Sequence, residues 1–465
     1  MSAKFGTSGL RGLVSDLDTS VVKSYVRAFI AACPSGGVVH VGRDLRASSP
    51  RIAADVIAAL QDAGLSAVDH GALPTPALAL ASMSRGHAAI MITGSHIPAD
   101  RNGLKFYVPH GEVSKHDEAA ILAALTDHPQ NGPEQGLKQA STEALPAYVA
   151  RYTTAFGGSA LAGLRIGVYE HSSVARDVMG AILRALGAET IPLARSDIFV
   201  PVDTEAVNPD TRARLADWAS THNLDAIVST DGDGDRPMVA GADGVIIAGD
   251  VLGPLTAVFL GADTLVTPVS SNSLIDHMAQ FPSITRTRIG SPYVIAAMEV
   301  ARAAVPDAKI AGYEANGGFL LGFHAKGPAG PLAPLMTRDS ILPMIAPLAG
   351  AAARGLPIVQ MVADLPACFT ASERVQNIPT ETSTAFIANL SADPAARAAF
   401  FEGVGAERSI DLTDGVRVTF ADGAIIHLRA SGNAPECRCY VEADSTAKAR
   451  ALVDLHLAKL AALLG

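Results

Sequence analysis

A chain of 465 residues is too long to fold around one hydrophobic core, so several domains are expected. Hydrophobic residues make up 49% of it and aromatics only 5%; the apolar share is mostly Ala, Val, Leu and Ile, as in helices packed on buried parallel sheets. The formal charge of −10 disfavours nucleic acid or an anionic membrane as a partner, although a local group of arginines can still reverse the potential inside one cleft and hold a phosphorylated small molecule.

From the start to about residue 360, short apolar runs alternate with longer stretches of helical period. Val38 to Val41, Ser66 to Val68 and Ala88 to Ile92 read as strands, with a helix over Ser49 to Ala63. Leu164 to Tyr169 opens a second series, with a helix after Ser173 and a strand at Ala226 to Ser229. Leu265 to Val269 opens a third, with helices expected after Asn272 and after Pro292. The apolar run Ile341 to Ala353, interrupted by Pro343 and Pro347, is too short to span a bilayer and reads as a buried helix. Beyond it the pattern changes. Val416 to Phe420, Ala424 to Leu428 and Arg438 to Val441 read as neighbouring antiparallel strands, with Asp422-Gly423 as a hairpin turn, and Thr446 to Leu464 as a closing helix.

Plausible seams lie near residues 129–136, near Gly249 and near 357–366, which divides the chain into 1–145, 146–250, 251–361 and 362–465. The expected fold is three similar α/β domains with mixed sheets plus a C-terminal α+β domain. Four cysteines are too few for a disulfide scaffold and read as small buried hydrophobes in a reducing compartment. The first residues contain no apolar stretch of signal-peptide type, so a soluble cytoplasmic protein is expected.

Four segments carry chemistry. Thr93-Gly94-Ser95-His96-Ile97-Pro98 follows the strand at Ala88 to Ile92 and places a hydroxyl at a strand end. A hydrolase elbow would need Gly where Ile97 stands, and Lys105 beyond the loop reads in isolation as a solvent-facing strand residue. Asp231-Gly232-Asp233-Gly234-Asp235-Arg236 follows another apolar strand, and its glycines let three carboxylates converge. Two unit charges about 4 Å apart at an effective dielectric of roughly 20 repel by about 4 kcal/mol, so the convergence calls for a cation, and oxygen-only ligands point to a hard one such as Mg²⁺. An EF-hand is excluded, because Arg236 and Ala242 stand where that loop requires Gly and Glu. Gly312-Tyr313-Glu314-Ala315-Asn316-Gly317-Gly318 offers a carboxylate and an amide, a pairing suited to vicinal sugar hydroxyls. Arg429-Ala430-Ser431-Gly432-Asn433-Ala434-Pro435, with Arg438 behind it, offers guanidinium groups, a hydroxyl and free backbone N–H groups for a phosphate dianion. No Walker A loop and no dinucleotide fingerprint are present in the sequence.

In this order and spacing the four segments, with Phe5-Gly6-Thr7-Ser8-Gly9-Leu10-Arg11-Gly12 at the start, resemble the α-D-phosphohexomutase family over nearly the whole chain. The resemblance implies four domains around a central cleft and a reversible transfer of phosphate between the 1- and 6-positions of a hexose, with a hexose 1,6-bisphosphate as intermediate and activator. It implies that Ser95 is the phosphorylated serine, with Asp231, Asp233, Asp235 and the phosphate on Ser95 as Mg²⁺ ligands. It places Arg11, His96 and Lys105 among the catalytic groups, Lys105 as general acid or base, a role that needs a pKa nearer neutrality than that of a free lysine. Thr7, Ser8, Arg236, Glu314 and Asn316 then fall on the substrate, and Arg429, Ser431, Gly432, Asn433 and Arg438 on its idle phosphate. The family's usual serine loop, Thr-Ala-Ser-His-Asn-Pro, has Gly94 and Ile97 here. Its sugar loop, Gly-Glu-x-Ser-Gly-His, has Tyr313 before the Glu, Asn316 for the Ser and Gly318 for the His. Ser-Gly-Asn-Ala-Pro in the last loop resembles the mannose-phosphate branch, so mannose phosphate is the first expected substrate, glucose phosphate the second and glucosamine phosphate the third. A metal-dependent sugar phosphatase and a non-catalytic homologue are the rival classes. Expected partners are hexose phosphates only, with the protein a monomer or homodimer.

Overall fold

The computed structural model describes residues 3–6, 9–125, 135–431 and 435–465. Three of its sheets repeat one arrangement. In the first, Val38–Arg43 lies parallel to both Ser66–Ala72 and Ala88–Ile92, and Arg101–Val108 returns antiparallel to Ala88–Ile92. In the second, Arg165–His171 lies parallel to Glu189–Arg195 and Ala226–Thr230, and Pro237–Gly241 returns antiparallel. In the third, Thr264–Pro268 lies parallel to Ser283–Thr287 and Ile310–Tyr313, and Phe319–Leu321 returns antiparallel. The inner strands Ala88–Ile92, Ala226–Thr230 and Thr264–Pro268 are buried at every position, which is why they are apolar or carry only small hydroxyl residues rather than alternating with charged ones. Each reversal from a parallel strand to its antiparallel neighbour leaves a loop at the carboxyl end of the sheet. These loops span residues 93–100, 231–236 and 314–318.

The C-terminal sheet is wholly antiparallel, in the order Phe369–Gln376, Glu436–Ala443, Ile425–Ala430, Val416–Phe420, Glu407–Asp411. Helices Thr380–Ala392, Pro394–Phe400 and Thr446–Leu464 accompany it. Its core, built on Val418, Ile426, Leu428, Val441 and Leu460, is separate from the others. By contrast, one continuous core joins Leu78 and Tyr148 to Ile166, Leu265 and Ile345, so the first three sheets are welded together. Tyr148 and Tyr152, on helix Ala144–Phe156, both donate to the buried carboxylate of Asp339 on the third sheet, Tyr148 at 2.6 Å.

The sequence expectations need one local correction. No α-helix follows Asn272; its side chain caps only one 3-10 turn, Ser273–His277. The seam expected at 357–366 contains a short helix, Ile358–Ala363. The run ending in Arg354 is a helix as expected, Leu342–Arg354, with Pro343 in its first turn and Pro347 inside it. Among the described residues no helix is long and apolar enough to cross a membrane.

His40 lies between two other imidazoles, its Nδ1 2.8 Å from His70 Nε2 and its Nε2 3.1 Å from His87 Nδ1. Burial, with the neighbouring rings, pushes its pKa down to about 3. An unfolded histidine titrates near pH 6.5, so below about that pH the unfolded chain binds a proton that the native site refuses. Stability from this site is therefore full above pH 6.5 and lost as pH falls towards 3. Thermal unfolding between pH 7 and 5 is expected to show a falling midpoint, with a shallower slope in His40→Gln; equal slopes would remove His40 from the account.

Candidate active site

The three repeated loops meet at one point. Ser95 stands at the end of strand Ala88–Ile92 with a left-handed φ of 53°, its backbone N–H bound to Thr93 Oγ1 at 2.7 Å. Its Oγ donates to Asp231 Oδ2 at 2.5 Å and is buried. The loop is held from behind by Arg46, which donates to the carbonyls of Ser95 (2.9 Å), Ile97 (2.6 Å), Pro98 (2.7 Å) and Arg101 (3.0 Å). Its Nε pairs with Asp44 at 3.2 Å, and its plane stacks 3.9 Å from the Phe199 ring. A Cβ at residue 94 would come within 2.6 Å of the Arg46 guanidinium, which gives Gly94 its reason in this chain. Arg11 Nη1 donates to the carbonyl of Gly94 at 2.5 Å, and burial brings the Arg11 pKa down to about 10, still a cation at neutral pH.

Asp231, Asp233 and Asp235 are all buried, with an oxygen from each within 4.8 Å of the others. Their charge is met from three directions. Lys105 Nζ lies 2.5 Å from Asp233 and 2.6 Å from Asp235, so Lys105 is not a solvent-facing residue but the buried counter-ion of the triad. Arg338 Nη2 lies 2.8 Å from Asp235, and Thr75 Oγ1 donates to Asp233 at 2.5 Å. Burial, then repulsion by its two neighbours, pushes Asp231 far above the carboxylate range. Burial opposes ionisation of Asp233 too, but the Lys105 ammonium and its hydrogen bond outweigh it and hold that carboxyl below its usual range. Among the described residues Asp233 Oδ1 and Asp235 Oδ1 are buried without a hydrogen-bond partner. Two orphaned carboxylate oxygens in an all-oxygen cluster fit a hard divalent cation.

His96 lies beside this centre, its Nδ1 3.3 Å from Ser95 Oγ and 3.0 Å from Arg236 Nη1. Burial, then the Arg236 cation, lowers its pKa to about 3 and keeps it neutral. Glu314 and Asn316 follow strand Ile310–Tyr313; Glu314 accepts from Arg338 Nη1 at 3.1 Å, and Asn316 Oδ1 folds back to accept from the Gly318 N–H at 2.9 Å. The loop at 314–318 also presses on helix Gly249–Leu260, where a Cβ at residue 249 would meet Gly317 N at 2.3 Å. On the fourth sheet Arg429 and Arg438 are cross-strand neighbours, and Arg374 is the neighbour of Arg438 on its other side. Three guanidinium groups thus share one face. Arg429 pairs with Asp414 at 3.2 Å, and Arg438 with Glu436 at 2.7 Å. Ser431 N donates to the carbonyl of Glu436 at 3.0 Å. Thr7, Ser8, Gly432 and Asn433 lie outside the described residues.

Sequence reasoning passed over Arg338 and Arg46. The available signal was a charged side chain inside or just after an apolar strand, Leu335–Asp339 and Val38–Arg43 respectively. Such a charge must be paired when buried, but its partner cannot be read locally.

A hydroxyl set against a buried carboxylate cluster that fits a cation, ringed by arginines, defines an enzyme of phosphoryl transfer. Four family models cover the chain: phosphoglucomutase/phosphomannomutase α/β/α domain I over residues 2–131, domain II over 146–244, domain III over 245–369 and the C-terminal domain over 379–458. The chain is 46% identical to a phosphomannomutase of Sinorhizobium fredii, covering 99% of each. It is 45% identical to a phosphomannomutase of Salmonella muenchen, covering 99% of this chain and 96% of that protein. A phosphoglucomutase/phosphomannomutase family protein of Burkholderia thailandensis shares the fold with a TM-score of 0.78 at 21% identity, over 98% and 97% of the two chains. This chain belongs to the phosphoglucomutase/phosphomannomutase family, the α-D-phosphohexomutases.

Arg46 turns both terminal nitrogens to the backbone carbonyls of residues 95–101, and lysine cannot reproduce that fork. Arg46→Lys is expected to lower kcat about ten- to a hundredfold with KM little changed, because a small misplacement of a reacting group costs rate rather than binding. Steady-state kinetics of the mutase reaction check this, and an unchanged kcat would deny Arg46 the role.

Proposed function

We propose that the chain interconverts mannose 6-phosphate and mannose 1-phosphate through a phosphorylated Ser95 and a mannose 1,6-bisphosphate intermediate. The observation that carries phosphoryl transfer is the 2.5 Å contact of Ser95 Oγ with a buried Asp triad, two of whose oxygens have no hydrogen-bond partner among the described residues. The choice of mannose is supported by full-length relatives at 46% and 45% identity that bear that activity in their names. Glucose and glucosamine phosphates rank behind it.

Asp231, Asp233 and Asp235 would hold Mg²⁺ with a phosphate oxygen on Ser95. Bound there, the ion would supply countercharge to a site that carries about −3 when all three Asp side chains are ionised and about −2 from phosphoserine. The rest falls to the chain. Arg236 lies against the serine through His96 and faces the phosphate's remaining charge. In one half-reaction a sugar hydroxyl attacks phosphorus; its O–P bond forms as the Ser95 Oγ–P bond breaks, and its proton passes to Lys105, which accepts it as the neutral amine after giving up the proton it carries as counter-ion of the triad. In the reverse sense Lys105 returns the proton to the departing sugar oxygen. Arg429, Ser431 and Arg438 grip whichever phosphate is idle while the bisphosphate turns around.

The fourth domain has its own core and would swing about the segment near 357–366 to exclude water. In the structure it is tied to the third by Glu442, which accepts from Ser273 N (2.8 Å) and Ser273 Oγ (2.6 Å), and by Asp414, which accepts from Ile289 N (2.9 Å). Both are local polar contacts that could remake in a second orientation. We place the enzyme in the cytoplasm, with hexose phosphates as its partners.

A coupled assay comparing mannose, glucose and glucosamine 1-phosphates, with Mg²⁺ and a bisphosphate activator, is expected to rank mannose first and to lose all turnover in Ser95→Ala. Stoichiometric phosphate release without isomerised product would replace the mutase by a phosphatase. Chelation, or Asp233→Asn, is expected to abolish turnover while leaving far-ultraviolet circular dichroism unchanged. Full activity after exhaustive chelation would exclude the metal.

A further inference from the structure

The cleft contains an acid that the mechanism above does not use. Asp203, Thr204 and Glu205 lie between strand Glu189–Arg195 and helix Pro209–Thr221, on a segment pinned to two other loops. Arg236 Nη1 faces His96 Nδ1 at 3.0 Å, and a guanidinium can only donate, so that nitrogen accepts and the imidazole proton sits on Nε2. Nε2 points to Asp203 Oδ2, 4.0 Å away. Thr204 Oγ1 donates to the carbonyl of Asn316 at 3.4 Å, and Asp203 Oδ1 accepts from the Glu205 N–H at 3.1 Å. The segment therefore bridges the serine loop and the sugar loop, and Glu205 emerges between them.

Its side chain is exposed and makes no hydrogen bond or ion pair among the described residues. Its charged surroundings are nonetheless Arg236, Asp203, Arg438 and Glu314. An exposed carboxylate with those neighbours faces the water of the cleft. Arg236 and Arg438 belong to the two ends where phosphates would sit, so the sugar ring must lie along the span that Glu205 overlooks. A carboxylate repels a phosphate but accepts strongly from a neutral hydroxyl. Of the other acids here, Glu314 already spends an oxygen on Arg338, and Asp203 accepts from the Glu205 N–H and faces His96.

We infer that Glu205 is a further substrate-binding residue, accepting a hydrogen bond from a ring hydroxyl of the hexose phosphate. This rests on the hexose-phosphate reading above. The test compares kcat/KM of the wild-type enzyme, Glu205→Gln and Glu205→Ala on mannose 1-phosphate and on its singly deoxygenated analogues. Removing the hydroxyl that Glu205 holds should cost the wild type about tenfold or more, as for a hydrogen bond to a charged group. That penalty should shrink at least about threefold in Glu205→Ala, while the penalties at the other hydroxyls stay as they were. Each penalty is a ratio within one preparation, so loss of folded protein does not imitate the effect. Penalties identical in all three proteins at every hydroxyl would overturn the inference and leave the mutase reading standing. A wild-type enzyme inert towards every hexose phosphate would sink the functional reading and this inference with it.

Discussion

Three carboxylates that cannot share a dry site unaided set the terms for the whole molecule. Asp231, Asp233 and Asp235 are buried together, and at short range in a medium of low polarisability their repulsion is too large to leave uncompensated. No single domain supplies the compensation. Lys105 comes from the first sheet, the triad itself from the second and Arg338 from the third, so the three are joined by charge as well as by their continuous apolar core. The site is where the domains meet because that is where the countercharges can be collected.

The repeated topology explains how the chain delivers those groups. Parallel strands point their carboxyl ends to one side, and the following strand in each sheet runs back antiparallel. The loop between them cannot be regular, and it stands where an α/β sheet offers a crevice for a ligand. One topological position used three times provides a serine, a metal-fitting triad and a Glu–Asn pair. Each loop then needs its own brace. Arg46 braces the serine loop through four carbonyls, the Asp231 carboxylate binds the N–H groups of Asp235 and Arg236, and Asn316 folds back on Gly318. The fourth domain follows another rule: its arginines come from register across antiparallel strands, Arg374, Arg438 and Arg429 side by side, on a domain with a core of its own.

Much of this was legible in the sequence. Strand Ala88–Ile92, strand Val416–Phe420 and helix Thr446–Leu464 fall where apolar period and turn residues put them, because those signals are local. Ser95, the three Asp and Glu314 stood out because Gly and Pro mark the loops that carry them. The 3-10 turn after Asn272 was mistaken for a helix, since a cap alone does not tell how far a helix will run.

What the sequence by itself determined was the set of strands, the loops that end them and the residue types they present. What only tertiary structure decided was partnership. Lys105 finds Asp233 at a separation of 128 residues, Tyr148 finds Asp339 at 191 and Thr204 finds Asn316 at 112. A buried charge is defined by the group that neutralises it, and that group is chosen by the packing of whole domains. Local pattern can announce a lysine on a strand, but only the assembled cleft makes it the counter-ion of an acid triad.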